Sequence, residues 1–219
     1  MLFVGNSLTY ENDLPATVKV LAESGGKRFT YKTVAFPNFS LEDHWNQSHA
    51  RRALASSRWD FVVLQQGPSA SPEGLEVLLK YTKLFSEEIR RAGARPALYM
   101  VWPSAARFGD FGKVIENHAM AARQAGCVLI PAGEAWRAAL RRDPHLPLYT
   151  SDGFHPSPEG SYLVALLIYA RLFGSQPPVA APPPAQSALT RRGVRLTPAQ
   201  AETISGALAE VTQGGADKQ

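Results

Sequence analysis

The chain has 219 residues, of which 45% are hydrophobic and 19% charged, the balance of a folded globular protein rather than a wholly disordered one. A chain of this length buries about 70–75% of its unfolded surface on folding, so its core needs no staples, and the lone Cys127 excludes an internal disulfide or a multi-cysteine metal site. The net charge of +4 comes from separated pairs such as Arg51-Arg52, Arg90-Arg91 and Arg141-Arg142, which excludes a basic stripe for nucleic acid, and no apolar run reaches the roughly 18 residues of a membrane span.

In chain order, Met1-Leu2-Phe3-Val4 reads as a short apolar strand. The basic region and longer apolar stretch of a signal peptide are missing, which fits a cytoplasmic protein or one whose leader lies upstream. Asn12-Asp13 before Leu14-Pro15 reads as a capped helix start, with Leu14, Val18 and Leu21 at helical spacing and Gly25-Gly26 as the stop. Phe29 to Val34 is a β-rich strand. Leu41 to Ser57 is weakly helical, with Leu41, Trp45 and Leu54 turned inward.

Phe61-Val62-Val63-Leu64 is a continuous apolar run, as in a parallel strand covered on both faces. A helix over Glu73 to Ala92, a strand over Pro96 to Trp102 and a helix over Lys113 to Gln124 follow. Val128 to Ile130 is the fifth strand, and Ala135–Arg142 and Glu159–Phe173 close the body as helices. Strands alternating with helices make βαβ units, so residues 1–174 are expected to form an α/β domain: a three-layer α/β/α sandwich around a five-stranded parallel sheet. Cys127, in an apolar setting, reads as a buried small hydrophobe.

Beyond Gly174 the composition shifts to a Pro/Ala-rich linker over 175–196, expected to be extended and semi-rigid through Ser187. Thr197-Pro198-Ala199-Gln200 is a capping box that opens a C-terminal helix and tail over 197–219. Ala201, Ile204, Leu208 and Val211 give this helix one apolar stripe, which is expected to dock on the body, while Gln213 to Gln219 is expected to fray.

Ligands of an open parallel sheet bind beyond the carboxyl ends of its strands. Directly after the first strand comes Gly5-Asn6-Ser7-Leu8-Thr9, which puts Ser7 in a strand-to-helix turn, either as a nucleophile or as a helix cap. Ser151-Asp152-Gly153-Phe154-His155-Pro156 lies before the last body helix. An acid and an imidazole three residues apart on one tight loop can converge, carboxylate on one ring nitrogen and the other nitrogen free to take a proton from a serine. The bland alternative is that Asp152 caps a turn and His155 meets a backbone carbonyl. His44 and His49, five apart, do not share a helical face, and His118 and His145 lack partners at ligand spacing, so no metal is expected. Trp45 and Trp102 read as core residues before pocket residues, and no phosphate-cradling loop is present.

Leu2-Phe-Val-Gly-Asn-Ser7-Leu-Thr9 resembles the first block of the SGNH (GDSL) hydrolases, and Asp152-Gly-Phe-His155 resembles their last block. The resemblance spans about residues 2–173. It implies a flavodoxin-like α/β/α fold and a serine esterase in which Ser7 is the nucleophile, His155 the base and Asp152 its orienting acid, with no cofactor. It also implies an oxyanion hole built from the Ser7 N–H, a second-block N–H and a third-block side chain. Here the sequence departs from the pattern: Asn38 stands where glycine is usual, and the third block, Gln65-Gln66-Gly67-Pro68-Ser69, carries Ser69 where asparagine is usual. Some carbohydrate-esterase branches use a strand-end Gln, so the amide falls to Gln65 or Gln66; alternation along a strand lets only one of them reach the site, and the resemblance favours Gln65. The expected substrate is a short-acyl ester of a small molecule or glycan. The rivals are acyl transfer to a glycan hydroxyl and a catalytically impaired binding protein on the same fold.

Overall fold

The fold is that of a computed structural model describing residues 1–174 and 183–213. Five strands, β1 (Leu2–Gly5), β2 (Lys32–Ala35), β3 (Phe61–Gln65), β4 (Arg95–Tyr99) and β5 (Val128–Ile130), form one parallel sheet in the order β2-β1-β3-β4-β5. Val4 pairs with Val34 on one side and Leu64 on the other, and Leu64 with Leu98. The order reverses at β1, which opens a crevice between the carboxyl ends of β1 and β3.

Each strand sends alternate side chains to opposite faces. Phe3, Val63, Ala97 and Tyr99 enter one core with helices α2 (Leu14–Ser24), α7 (Ala132–Arg142) and α8 (Pro158–Phe173). Leu2, Val4, Val62, Leu64 and Leu98 enter the other with α3 (Leu41–Asn46), α4 (His49–Ala55), α5 (Pro72–Arg91) and part of α6 (Phe111–Ala125). Twelve of the sixteen residues of α8 are buried, because this helix is covered on nearly all sides. The three layers expected from the sequence are present.

Several elements differ from the sequence reading. A four-residue helix, α1 (Ser7–Tyr10), and a 3-10 turn over Glu11–Asp13 precede α2. The expected cap at Asn12-Asp13 is not one: both residues are left-handed (φ 53° and 50°), and Asp13 makes no side-chain cap bond. Asn12 instead donates from Nδ2 to Pro156 O (2.8 Å) and Ser161 Oγ (2.9 Å), tying the start of the chain to the loop before α8. The helix expected over Leu41–Ser57 breaks at Ser48, whose φ is 60°. Cys127 is half-buried rather than fully buried, and its burial raises the thiol pKa to about 11.

The stretch expected to be extended is helical from Pro183 to Arg191 (α9), which packs against α2 and buries Leu189. Prolines in a first helical turn forfeit no internal bond, so this composition does not forbid a helix. The parts of the linker at 175–182 and of the tail at 214–219 lie outside the described residues. Helix α10 (Pro198–Gln213) opens on the expected capping box: Gln200 N–H donates to Thr197 Oγ1 (3.2 Å), and Thr197 N–H to Gln200 Oε1 (2.9 Å). Ile204, Leu208 and Val211 are buried against α7 and α8, so the apolar stripe docks on the body. Among the described residues no helix is long and apolar enough to cross a membrane.

Candidate active site

The turn that carries Ser7 is fixed by its neighbour. Asn6 caps α1 by accepting from Leu8 N–H at Oδ1 (3.1 Å), which leaves Ser7 as the first helical residue and not the cap. Asn6 also donates from Nδ2 to Phe39 O (3.0 Å) and from its backbone N–H to Gln65 Oε1 (2.8 Å). Its own carbonyl accepts from Thr9 N–H (2.9 Å). The half-buried Ser7 thus stands on a turn whose preceding residue is held from four sides, and its N–H is one of the first-turn donors that a helix cannot satisfy internally.

The fold brings Ser7 and His155 together across 148 residues of sequence: Ser7 Oγ lies 3.0 Å from His155 Nε2. His155 Nδ1 lies 2.5 Å from Asp152 Oδ2. With the Nδ1 N–H donating to the carboxylate, Nε2 is left as the acceptor for the serine hydroxyl, a tautomer set by the hydrogen-bond network. Asp152 Oδ1 in turn accepts from Phe154 N–H (2.8 Å), His155 N–H (2.9 Å) and Thr150 Oγ1 (2.8 Å). The bond from the His155 ring, then the Phe154 N–H, the Thr150 hydroxyl and the His155 N–H, hold this exposed carboxyl well below the usual carboxylate range. Asp152 is therefore ionised around neutral pH.

The loop bearing these residues is fastened from behind. The fully buried Trp102 donates from Nε1 to Phe154 O (3.0 Å), and Ala105 N–H donates to Gly153 O (2.8 Å). Trp102 stacks on Trp136 at 3.5 Å and 11°, and Tyr149 meets the edge of that pair while donating to Pro103 O (2.8 Å). Trp102 is thus a core residue with a polar duty at the loop. Trp45 is half-buried against Phe85 (5.1 Å), on the other side of the sheet.

The residues expected at the oxyanion divide. Asn38 is exposed with φ 60°, in a turn closed by Phe39 N–H to Phe36 O (3.3 Å). Pro37 followed by a positive φ is the pattern of a type II turn, and Asn takes the left-handed region better than most residues. Gln65 is fully buried and faces the Ser7 turn, its Oε1 accepting from Asn6 N–H and from Thr9 Oγ1 (2.8 Å). Gln66 is held on another element: its Oε1 accepts from Leu41 N–H (2.7 Å) at the start of α3, and the residue lines an open cleft of about 520 Å³. That cleft runs beside the Ser7–His155–Asp152 cluster between Ser69, Ser104, Arg107, Asp110 and Phe154, and Ser7 and His155 themselves are not part of its wall. Ser69, left-handed at φ 54°, turns its hydroxyl back to Gly67 O (2.9 Å).

Sequence reasoning passed over Asn12, Thr150 and the Trp102 indole. Thr150 could have been found, since a hydroxyl two residues before an aspartate on a tight loop is a common carboxylate donor. His44 is buried with Nε2 on Gly5 O (2.7 Å), and His49 lies against Arg52. No group of three or more His, Cys, Asp or Glu placed to hold a metal occurs among the described residues.

Comparison with solved structures decides the family. A protein from Slackia heliotrinireducens ascribed to the SGNH hydrolases superposes with a TM-score of 0.65 at 30% identity, over 78% of this chain and 97% of that one. The chain belongs to the SGNH hydrolase family. An acetyl xylan esterase, AlAXEase, shares the fold at 14% identity and a TM-score of 0.64, over 78% of this chain and all of that one. A DUF4886 family protein from Bacteroides uniformis shares it at 16% identity and a TM-score of 0.75, over 97% of this chain and 93% of that one. The last likeness extends over the C-terminal helices as well as the body. No family profile and no curated protein matches the chain.

Proposed function

We propose that this SGNH hydrolase is a cofactor-independent serine esterase acting on short-acyl esters of a hydroxylated alcohol such as a sugar. Ser7 Oγ attacks the ester carbonyl as His155 Nε2 takes its proton, and ionised Asp152 stabilises the imidazolium that forms. The oxyanion of the tetrahedral intermediate is held by the Ser7 and Asn38 N–H groups and by one side-chain amide, a donor worth about 3–4 kcal/mol in the transition state. His155 then protonates the departing alkoxide, and a water activated by the same imidazole releases the acid.

One observation carries this reading: Ser7 Oγ is 3.0 Å from an imidazole whose other nitrogen is 2.5 Å from a carboxylate. For the amide donor the geometry favours Gln66 over Gln65, because Gln65 is sealed from the cleft while Gln66 lines it. The Leu41 N–H holds the Gln66 carbonyl oxygen, so its Nε2 is turned elsewhere. The alcohol half of the ester fits the adjoining cleft, whose serine hydroxyls and Arg107–Asp110 pair (2.7 Å) suit hydroxyl groups better than a lipid chain. The fold shared with an acetyl xylan esterase points the same way.

The test is Ser7→Ala, assayed on p-nitrophenyl acetate and on an acetylated-sugar panel. Turnover is expected to fall by at least about a thousandfold. Undiminished turnover would overturn the mechanism. Faster turnover of long-chain than of acetyl esters would overturn the substrate class.

A further inference from the structure

The first βα turn carries an arrangement that the triad does not require. Gly5 ends β1, Thr9 sits in α1, and Gln65 ends β3 on the neighbouring strand. A Cβ on Gly5 would collide with Thr9 Oγ1 and Gln65 Oε1 and would come within 2.9 Å of Gln65 Cβ. The missing side chain is therefore what lets the Gln65 amide cross over the end of β1. There a single oxygen, Gln65 Oε1, accepts both Asn6 N–H (2.8 Å) and Thr9 Oγ1 (2.8 Å), all three residues being buried. The other end of the amide, Gln65 Nε2, is buried without a hydrogen-bond partner.

We infer that Gln65, admitted by Gly5 and held by Thr9, is a positioning residue that fixes the peptide before the nucleophile. This rests on the serine-hydrolase reading of Ser7. A buried amide nitrogen with no partner adds nothing to hold the group's orientation. The two donors on Oε1 do all of that holding, one from the residue before Ser7 and one from the residue two beyond it. Both ends of the segment bearing Ser7 are thus drawn to one fixed atom on β3. Loss of either donor frees the amide to rotate, and Asn6 N–H then faces an NH2 group instead of an oxygen. The consequence is a displaced Ser7, and displacements of about 1 Å at a reacting atom cost up to about a hundredfold in rate.

Three variants separate positioning from direct oxyanion donation. Thr9→Val keeps the shape of the side chain and deletes only the donor. Gln65→Glu keeps an oxygen acceptor and deletes the amide nitrogen, whereas Gln65→Met deletes both. Each is compared with the wild-type chain for kcat and KM on p-nitrophenyl acetate and for the rate of labelling by a fluorophosphonate, with Ser7→Ala as blank. Positioning predicts that Thr9→Val lowers kcat and the labelling rate together by about tenfold or more, with KM within about twofold. It also predicts that Gln65→Glu restores most of the rate lost in Gln65→Met. Wild-type rates in Thr9→Val, or equal losses in the two Gln65 variants, would overturn the inference while leaving the esterase reading intact. A wild-type chain that neither labels nor turns over would overturn both. Should Gln65→Met fail to fold, Thr9→Val alone decides, since it removes one hydroxyl from a site of unchanged volume.

Discussion

Trp102→Phe tests whether the core behind the Asp152–His155 loop sets the position of the imidazole. The substitution removes the 3.0 Å bond from the indole Nε1 to Phe154 O, next to His155, and leaves a phenyl ring against Trp136. Trp102 is fully buried, so a carbonyl deprived of its donor there costs about 1–3 kcal/mol. The smaller ring also gives up part of a stack with 3.5 Å between ring centroids, worth about 0.5–1.5 kcal/mol beyond the area it buries. Together these give a loss of about 1.5–4.5 kcal/mol, measurable by urea unfolding. The loop does not come apart, because Ala105 N–H still reaches Gly153 O and Thr150 N–H still reaches His155 O (2.9 Å). What changes is the freedom of Phe154 and hence the Ser7–His155 distance, so kcat for p-nitrophenyl acetate is expected to fall by about ten- to a hundredfold at unchanged KM. A stability loss below about 1 kcal/mol would refute the role given to the indole N–H. A full stability loss with wild-type kcat would refute its coupling to catalysis.

Two further outcomes follow from the packing. Leu208 is buried at the interface of α10 with α7 and α8, so Leu208→Ala is expected to cost about 2–5 kcal/mol in urea unfolding, the range for a core leucine; a cost near zero would mean that α10 does not share the core. His118 is fully buried with Nδ1 on Val114 O (2.8 Å), and burial lowers its pKa from 6.5 to about 4. Between those values the unfolded chain binds the proton and the folded chain does not, so stability is complete above pH 6.5 and is lost as pH falls toward 4. The contribution amounts to about 3 kcal/mol, and His118→Gln should flatten that part of the unfolding-versus-pH curve; an unchanged slope would contradict it.

The parts of this molecule that local chemistry specifies were legible in the sequence. Phe61–Leu64 and Val128–Ile130 announce parallel strands because a strand covered on both faces must be apolar throughout, and β5 has the bounds the sequence assigns it. Asp152 and His155 are legible because one tight loop holds both, and Ser7 because it follows the first strand directly. What escaped is set by distant partners. Asn12 has the look of a helix cap, yet its amide is spent on Pro156 and Ser161, 144 and 149 residues away. Alternation along the end of β3 separates Gln65 from Gln66 but cannot say which of them is bound under the Ser7 turn; the close approach of the Gln65 amide to Gly5 decides that. The composition of residues 183–191 permits both an extended and a helical chain, and contact with α2 selects the helix.

The central claim is that Ser7 is an activated nucleophile. Incubating the folded protein with a fluorophosphonate and mapping the adduct by peptide mass spectrometry tests it most directly. The geometry predicts one phosphonyl group on the peptide containing Ser7, with labelling abolished in His155→Ala. An adduct on another residue, or a Ser7 peptide that stays unmodified while the protein hydrolyses esters, would contradict it.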